Sequence, residues 1–302
     1  MTAMRLLAQA KLNLVLHITG RAPDGYHLLD TLFHALELAD ELKAQRSRGG
    51  LSLTITAEDA RSALPVADDN LVLRAARAFC ERIGCAPDFA FALHKRIPPG
   101  GGLGGGSSDA AAALRLCNAL CGDPLDALAL HELARPLGAD VAFFLRGGSQ
   151  RGRGIGDQLT PAEVKARHFL LLLPPFGCPT AAVYKNFSAH WNGLSSTATV
   201  PRAAAYQPKD SVLRDRFEND LSAAAERVQP SLQKLRHRAL ALGAPPLHMT
   251  GSGSTLFLAA AAHECVLLRT QLQPLSDEGV LLLLTQTAAC QPVPELILVG
   301  GA

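Results

Sequence analysis

Between residues 100 and 106 the chain carries six glycines in seven positions, broken only by Leu103, and they run directly into Ser107-Ser108-Asp109 and the alanines Ala110 to Ala113. Pro98-Pro99 stand before them. Ahead of the prolines, Phe89 to Leu93 reads as a short strand ending at His94-Lys95-Arg96. A glycine run between a strand and a strong helix former is no flexible linker, because its two ends are held by regular structure. Glycines lack a Cβ, so their N–H groups can approach an anion closely, and the first turn of the following helix adds partial positive charge. Phosphate is the natural occupant. Ser107, Ser108 or Asp109 can cap the helix, and the hydroxyls can instead face a phosphate or its metal.

The known phosphate loops narrow the choice by what is missing. Gly100, Gly102 and Gly105 satisfy G-x-G-x-x-G, but Pro98-Pro99 interrupt the strand that a dinucleotide fold runs into its first glycine. There is no Gly-Lys dipeptide for a Walker A loop, no G-x-S-x-G elbow and no H-E-x-x-H. With 29 basic against 27 acidic residues, the chain lacks the positive field of a non-specific nucleic-acid binder. Hydrophobic residues make up 48% and charged residues 19%, enough core-forming material to exclude disorder, and 302 residues suit about two domains. No apolar run reaches the ~18 residues of a spanning helix, and the apolar stretch before Ala8-Gln9-Ala10 is too short for a secretory leader. The seven cysteines are odd in number and form no C-x-x-C pair, so we read them as buried thiols of a reducing cytoplasm.

Along the chain, Lys11 to Thr19 alternates with period 2 and predicts a strand with Leu12, Leu14, Leu16 and Ile18 on one face and Lys11, Asn13 and His17 on a polar one. Residues 20–25 are a turn cluster, which leaves Tyr26 and His27 at a loop exit. Further strands are predicted at 51–56, 168–173 and 256–258. Helices are predicted at 70–82, capped by Asp69 or Asn70, at 126–135, and over most of 219–242. Residues 138–145 read as a turn entering a strand, 147–156 as a glycine-rich return, 188–208 as a long polar surface connection, and Leu296 to Val299 as either a packed strand or an interface. Alternation of these elements predicts a mixed α/β or α+β fold.

The segment Pro98-x-Gly100-x-Gly102-Leu103-Gly104-x-x-Ser107-Ser108 resembles the second motif of the GHMP kinases, the superfamily of galactokinase, homoserine kinase and mevalonate kinase. Ala10-Lys11-Leu12-Asn13-Leu14, the stretch Gly20-Arg21-x-x-Asp24-Gly25-Tyr26-His27, Gly138-Ala139-Asp140-Val141 and Thr250-Gly251-Ser252-Gly253 extend the likeness from about residue 5 to 285. They narrow it to the branch acting on cytidine diphosphate methylerythritol in the non-mevalonate isoprenoid pathway. The resemblance implies an α+β, two-domain GHMP kinase fold: an ATP-binding domain over 1–160, like the second domain of a small-subunit ribosomal protein, and a ferredoxin-like domain over 161–302.

It also implies a cytoplasmic ATP-dependent kinase with Mg²⁺, a small-molecule substrate, and neither nucleic acid nor membrane as partner. Lys11 and Asp140 would be the catalytic pair. Asn70, Lys95, Pro98, Gly100, Gly101, Gly102, Leu103, Gly104, Gly105, Gly106, Ser107 and Ser108 would bind ATP, with the Lys95 ammonium facing phosphate or ribose and Ser108 a candidate for the metal. Asn13, Tyr26, His27, Thr180 and Tyr184 would bind the substrate, the tyrosines stacking on cytosine, His27 meeting the base edge and Thr180 the diphosphate side. The alternatives are another GHMP small-molecule kinase, of homoserine or mevalonate type, or a non-catalytic nucleotide sensor on the same fold. Ala142 departs from the proline common after Gly-Ala-Asp-Val, and Ala181 from the more usual proline after Thr180.

Overall fold

The computed structural model of the chain describes residues 2–59, 61–62, 67, 69–191 and 217–297. Two sheets organise them. The first holds β1 (Ala3–Arg21), β2 (His27–Arg46), β3 (Ser52–Ala57), β4 (Phe89–Lys95), β5 (Ser149–Arg153), β6 (Gln158–Pro161), β8 (Glu218–Asn219) and β12 (Glu295–Ile297). Its main path runs β12-β1-β2-β4-β3, with β5 and β6 continuing from β2, and β8 lying parallel beside β1. The second sheet holds β7 (His168–Leu173), β9 (His248–Met249), β10 (Leu256–Ala260) and β11 (Leu281–Gln286) in the order β11-β7-β10-β9, every pair antiparallel. That order, with helices between β7 and β9 and between β10 and β11, is the ferredoxin-like arrangement.

The helices are α1 (Leu71–Ile83), α2 (Gly105–Leu120), α3 (Ala127–Ala134), α4 (Val141–Arg146), α5 (Thr180–His190), α6 (Ser222–Val228), α7 (Pro230–Ala241), α8 (Ala262–Gln271) and α9 (Gln273–Asp277). Asn70 caps α1, its Oδ1 accepting from Val72 N at 2.9 Å, and Asp126 caps α3. The alanines of α2 explain its position: Ala110 to Ala113 are all buried, which lets its backbone lie close to α1 and β1. A third core cluster, with Leu12, Leu14, Leu36, Phe169, Leu171 and Phe257, packs the two sheets against each other. β8 and β12 come from beyond residue 161 and join the first sheet, so the chain returns to it twice.

Several expectations need correcting. Residues 138–145 do not enter a strand; they form a turn and α4, because a short apolar run reads alike in a buried strand and a buried helix. The polar face expected for β1 is not open to solvent at Lys11 and Asn13, which are nearly as buried as Leu12, since α2 packs against β1 and the third core cluster joins β1 to the second sheet. β2 has no counterpart in the sequence reading. Its Leu-, Ala-, Glu- and Lys-rich sequence favours helix locally, and pairing with β1, β4 and β5 overrides that preference. The tail at 295–297 is an edge strand on β1. Of the polar stretch at 188–208, residues 188–190 end α5 and residues 192–208 lie outside the described residues.

Candidate active site

β1 is irregular where the site lies. Its register against β2 shifts between Gln9 and Lys11 and again between Asn13 and Val15, and such bulges re-aim side chains. Lys11 thereby sends its ammonium into the interior at 3% exposure, where Nζ donates to Asn13 Oδ1 at 2.6 Å. Asn13 is oriented for this because its Nδ2 donates to Thr31 Oγ1 at 2.7 Å, leaving the carbonyl oxygen for Lys11. Asp140 Oδ2 lies 3.5 Å from Lys11 Nζ. Although Asp140 occupies the N-cap position of α4, its carboxylate makes no capping bond; it is about a third exposed, 32%, and faces the lysine. A buried ammonium needs such a partner, and the Phe33 ring 5.7 Å away completes its surroundings.

The glycine loop closes over this pair. Leu103 O accepts from the Lys11 amide at 3.0 Å, and a methyl placed on Gly104 would stand 3.2 Å from Lys11 Cε. The second glycine turn, 250–255, interlocks with the first. Thr255 N donates to Gly101 O at 3.2 Å, Thr250 Oγ1 accepts from Asn13 N at 2.9 Å, and a methyl on Gly251 would stand 3.5 Å from Lys11 Nζ. Gly102 has φ +79°, and a Cβ there would stand 2.6 Å from Thr250 O, so only glycine allows the two loops this contact. Asn219 holds the second turn from behind, its Nδ2 donating to Met249 O at 2.9 Å and Gly251 O at 2.8 Å.

α2 starts from this cradle with Gly104 at its N-cap and no side-chain cap, so the amides of its first turn keep their donors. Gly106 is exposed and Ser107 half-buried beside Gly138, whereas Ser108 is buried. Thr255 Oγ1, fully buried next to Gly101, has no hydrogen-bond partner among the described residues. Unused amides, a backbone surface that any Cβ would fill and an unpartnered hydroxyl fit a phosphate chain.

Lys95 stands differently from the expectation that its ammonium faces a phosphate or ribose. At 1% exposure it lies beneath α2, bonded to Asp40 and, at 2.7 Å, to Asp109 Oδ2. Asp40 Oδ1 also accepts from the amides of Arg96 and Ile97, which fixes the chain just before the glycines. Burial, opposed by Lys95 and helped by the Asp40 carboxylate, pushes Asp109 up to about 7, while the two carboxylates outweigh burial and raise Lys95. Asn70 lies at the same end of the molecule, since Leu71 Cδ1 comes within 3.7 Å of the position a methyl on Gly106 would take.

On the other side of Asp140, an aromatic group assembles. Tyr26 leaves its turn 64% exposed. His27 lies 4.9 Å from the Tyr184 ring and 6.2 Å from Phe187, with Nε2 2.7 Å from Ser188 Oγ. Burial and then Arg21 hold His27 below its ordinary value. Burial and, behind it, the Asp140 carboxylate push the Tyr184 hydroxyl up to about 12, which ties this aromatic group to the Lys11–Asp140 pair. Thr180 Oγ1, at the start of α5, lies 2.9 Å from Ser252 Oγ of the second glycine turn.

The fold therefore gathers Lys11, Asn13, Asp140, the glycine loop and Thr180 around one centre, with Tyr184 and His27 beside it, Tyr26 at the rim and Lys95 beneath. Thr31, Asp40 and Asn219 escaped the sequence reading. Asp40 stands between Glu37 and Glu41 in a mixed run, so nothing singled it out, and Thr31 and Asn219 gave no signal either.

Residues 70–148 match the family model described as the GHMP kinases N terminal domain. A 4-diphosphocytidyl-2-C-methyl-D-erythritol kinase from Salinispora tropica is 38% identical over 282 residues, 90% of this chain and 88% of that one. A crystal structure of 4-(cytidine 5'-diphospho)-2C-methyl-D-erythritol kinase aligns with TM-score 0.71 and 34% identity, covering 95% of this chain and all of the other. A homoserine kinase from Cytophaga hutchinsonii shares the fold, with TM-score 0.69 over 98% of this chain and 97% of its own at 18% identity.

Proposed function

The chain belongs to the 4-diphosphocytidyl-2-C-methyl-D-erythritol kinase family of the GHMP kinases, and from that membership we propose how its own residues carry out the reaction. It is an ATP-dependent kinase of the isoprenoid pathway that phosphorylates the 2-hydroxyl of 4-diphosphocytidyl-2-C-methyl-D-erythritol, releasing ADP and a proton. The observation that carries the proposal is the Lys11–Asp140 pair, 3.5 Å apart, under the mouth of the glycine cradle.

Phosphoryl transfer asks mainly for alignment and charge stabilisation, because the transition state is loose and its charge spreads over the phosphoryl oxygens. The amides of Gly100 to Ser107 hold the triphosphate, and Asn70 borders its adenosine. Lys95 serves that side from beneath, by fixing the start of the loop through Asp40 and the first turn of α2 through Asp109. Asp140 orients the acceptor hydroxyl and takes its proton; Lys11 holds that carboxylate and faces the charge developing on the transferring group. Asn13 fixes the ammonium. Tyr26 and Tyr184 stack on the cytosine, His27 meets its edge, and Thr180 contacts the diphosphate.

Mg²⁺ accompanying ATP would neutralise phosphate charge and would be held mostly by phosphate oxygens and water, with Ser108 at the start of α2 the protein's candidate ligand. The first sheet with its helices, β8 and β12 included, is the ATP-binding domain, and the four-stranded sheet that begins at β7 is the second domain. The site of action is the cytoplasm; no described helix is long and apolar enough to cross a membrane.

A coupled ADP-release assay with the cytidine substrate beside homoserine and mevalonate tests the reading. Turnover confined to the cytidine substrate is expected. Preference for either of the others would overturn the acceptor assignment, since neither needs the aromatic group around His27.

A further inference from the structure

Three side chains on one face of α5 converge on a single imidazole. Tyr184, Phe187 and Ser188 stand at i, i+3 and i+4, the spacing that sets helical side chains beside one another. All three meet His27, the first residue of β2: the Tyr184 and Phe187 rings lie 4.9 Å and 6.2 Å from its ring, and Ser188 Oγ lies 2.7 Å from its Nε2. The helix is held at several points. Thr180 Oγ1 lies 2.9 Å from Ser252 Oγ, Arg227 of α6 donates from Nε to Asn186 Oδ1 at 2.7 Å, and the Trp191 ring packs 5.7 Å from that of Phe187. His27 Nε2 is the one hydrogen-bond acceptor open to the half-buried Ser188 hydroxyl among the described residues, and His27 Nδ1 has no partner among them. Burial, and behind it Arg21, hold His27 below its ordinary value, so at about pH 8 the ring is neutral and carries a single proton.

Resting on the proposed function, in which His27 meets the edge of the base, we propose that Ser188 is the positioning residue that makes this site select cytosine over uracil. Its hydroxyl donates to His27 Nε2, which places the ring proton on Nδ1 and turns that nitrogen into a fixed donor. In a neutral imidazole the bond made at one nitrogen sets what the other can do. On its pairing edge cytosine offers N3 as a bare acceptor, whereas uracil offers an N3–H donor at the same place. A fixed Nδ1–H bonds the first and opposes the second. Discrimination of this kind is strong because the wrong base leaves a polar group of the site unpaired. Without the Ser188 hydroxyl the ring takes either tautomer, and the one with a bare Nδ1 accepts from uracil. Tyr184 and Phe187 complete the arrangement by packing on the imidazole and holding its plane against rotation. Thr180 and Ser188 sit at opposite ends of α5, so one helix serves both the diphosphate and the base of the same substrate.

The test combines steady-state kinetics of the full chain, Ser188→Ala and Ser188→Thr on the cytidine substrate and its uridine counterpart with nitrogen NMR of ligand-free protein labelled in its histidines, the His27 signals being assigned with His27→Gln. In the parent the spectra should show the proton on Nδ1 and a bare, hydrogen-bonded Nε2; in Ser188→Ala the proton should move at least partly to Nε2. Ser188→Ala should raise KM for the cytidine substrate about fivefold, keep kcat and the KM for ATP within about twofold, and narrow the cytidine-over-uridine preference in kcat/KM about tenfold. Ser188→Thr, which returns the hydroxyl, should restore the preference. A parent ring protonated on Nε2, or an unchanged preference in Ser188→Ala, overturns the inference and leaves the cytidine kinase in place. A parent that turns over neither pyrimidine substrate overturns the proposed function and this inference together.

Discussion

Gly100 and Gly102 offer a matched pair of perturbations that isolates the interlock of the two glycine turns. Both have positive φ, +74° and +79°, so alanine at either carries about 1–2 kcal/mol of backbone strain, offset by roughly 0.4–1 kcal/mol from the stiffer unfolded chain. At Gly100 the added methyl meets nothing within 4 Å, and Gly100→Ala is expected to cost about 1 kcal/mol or less. At Gly102 it would stand 2.6 Å from Thr250 O and 3.2 Å from Gly253 O, both backbone atoms that no rotamer can move aside. Relief needs the 250–255 turn to retreat, at a further cost of about 1–3 kcal/mol. That turn also carries the Thr250 contact to Asn13 and lies against Lys11, so the shift reaches the catalytic pair. Urea unfolding and steady-state turnover of the two variants, measured side by side, check this. Gly102→Ala should be less stable than Gly100→Ala by at least about 1 kcal/mol and should lose turnover tenfold or more. Equal stability and equal turnover in both would refute the interlock.

Tyr26→Ala should raise KM for the cytidine substrate about tenfold, the worth of one stacked base, while KM for ATP stays put; equal shifts in both would remove Tyr26 from the base site. Lys95→Met would leave the Asp40 and Asp109 carboxylates buried without a cation and should cost about 3–5 kcal/mol in thermal unfolding; an unchanged midpoint would contradict the buried cluster. His34, fully buried between Ser149 and Thr287, is held down to about 4 by burial and then by Arg167. Its folded value lies below its unfolded one, so its contribution is complete above pH 6.5 and is lost as pH falls from 6.5 towards 4, by up to roughly 3 kcal/mol. His34→Gln should flatten that acid limb of the stability curve, and an unaltered limb would show that another group carries it.

The parts of the site legible in the sequence are those whose residue type is forced by geometry. A cradle that excludes Cβ atoms must be written in glycine, so the run at 100–106 and the turn at 250–255 announced themselves. Lys11 and Asp140 carry no such mark: a strand lysine and a turn aspartate are ordinary locally, and only the resemblance to the GHMP kinases joined them. Lys95 shows the cost of a missing element. Its partner Asp40 lies on β2, whose Leu-, Ala- and Glu-rich sequence hides a strand, so nothing revealed that a carboxylate waited beneath the glycine loop. α4 escaped because five apolar residues have no readable period, and α5, with one buried residue, has too weak an apolar stripe to stand out.

The central claim is that Asp140, aligned by Lys11, handles the proton of the attacking hydroxyl. Asp140→Asn, which keeps the shape and removes the base, tests it when turnover at saturating substrates is measured beside ATP binding by calorimetry. The account predicts turnover lower by about 10²–10⁴-fold with ATP affinity within about twofold of the parent. Turnover within about threefold of the parent would contradict it.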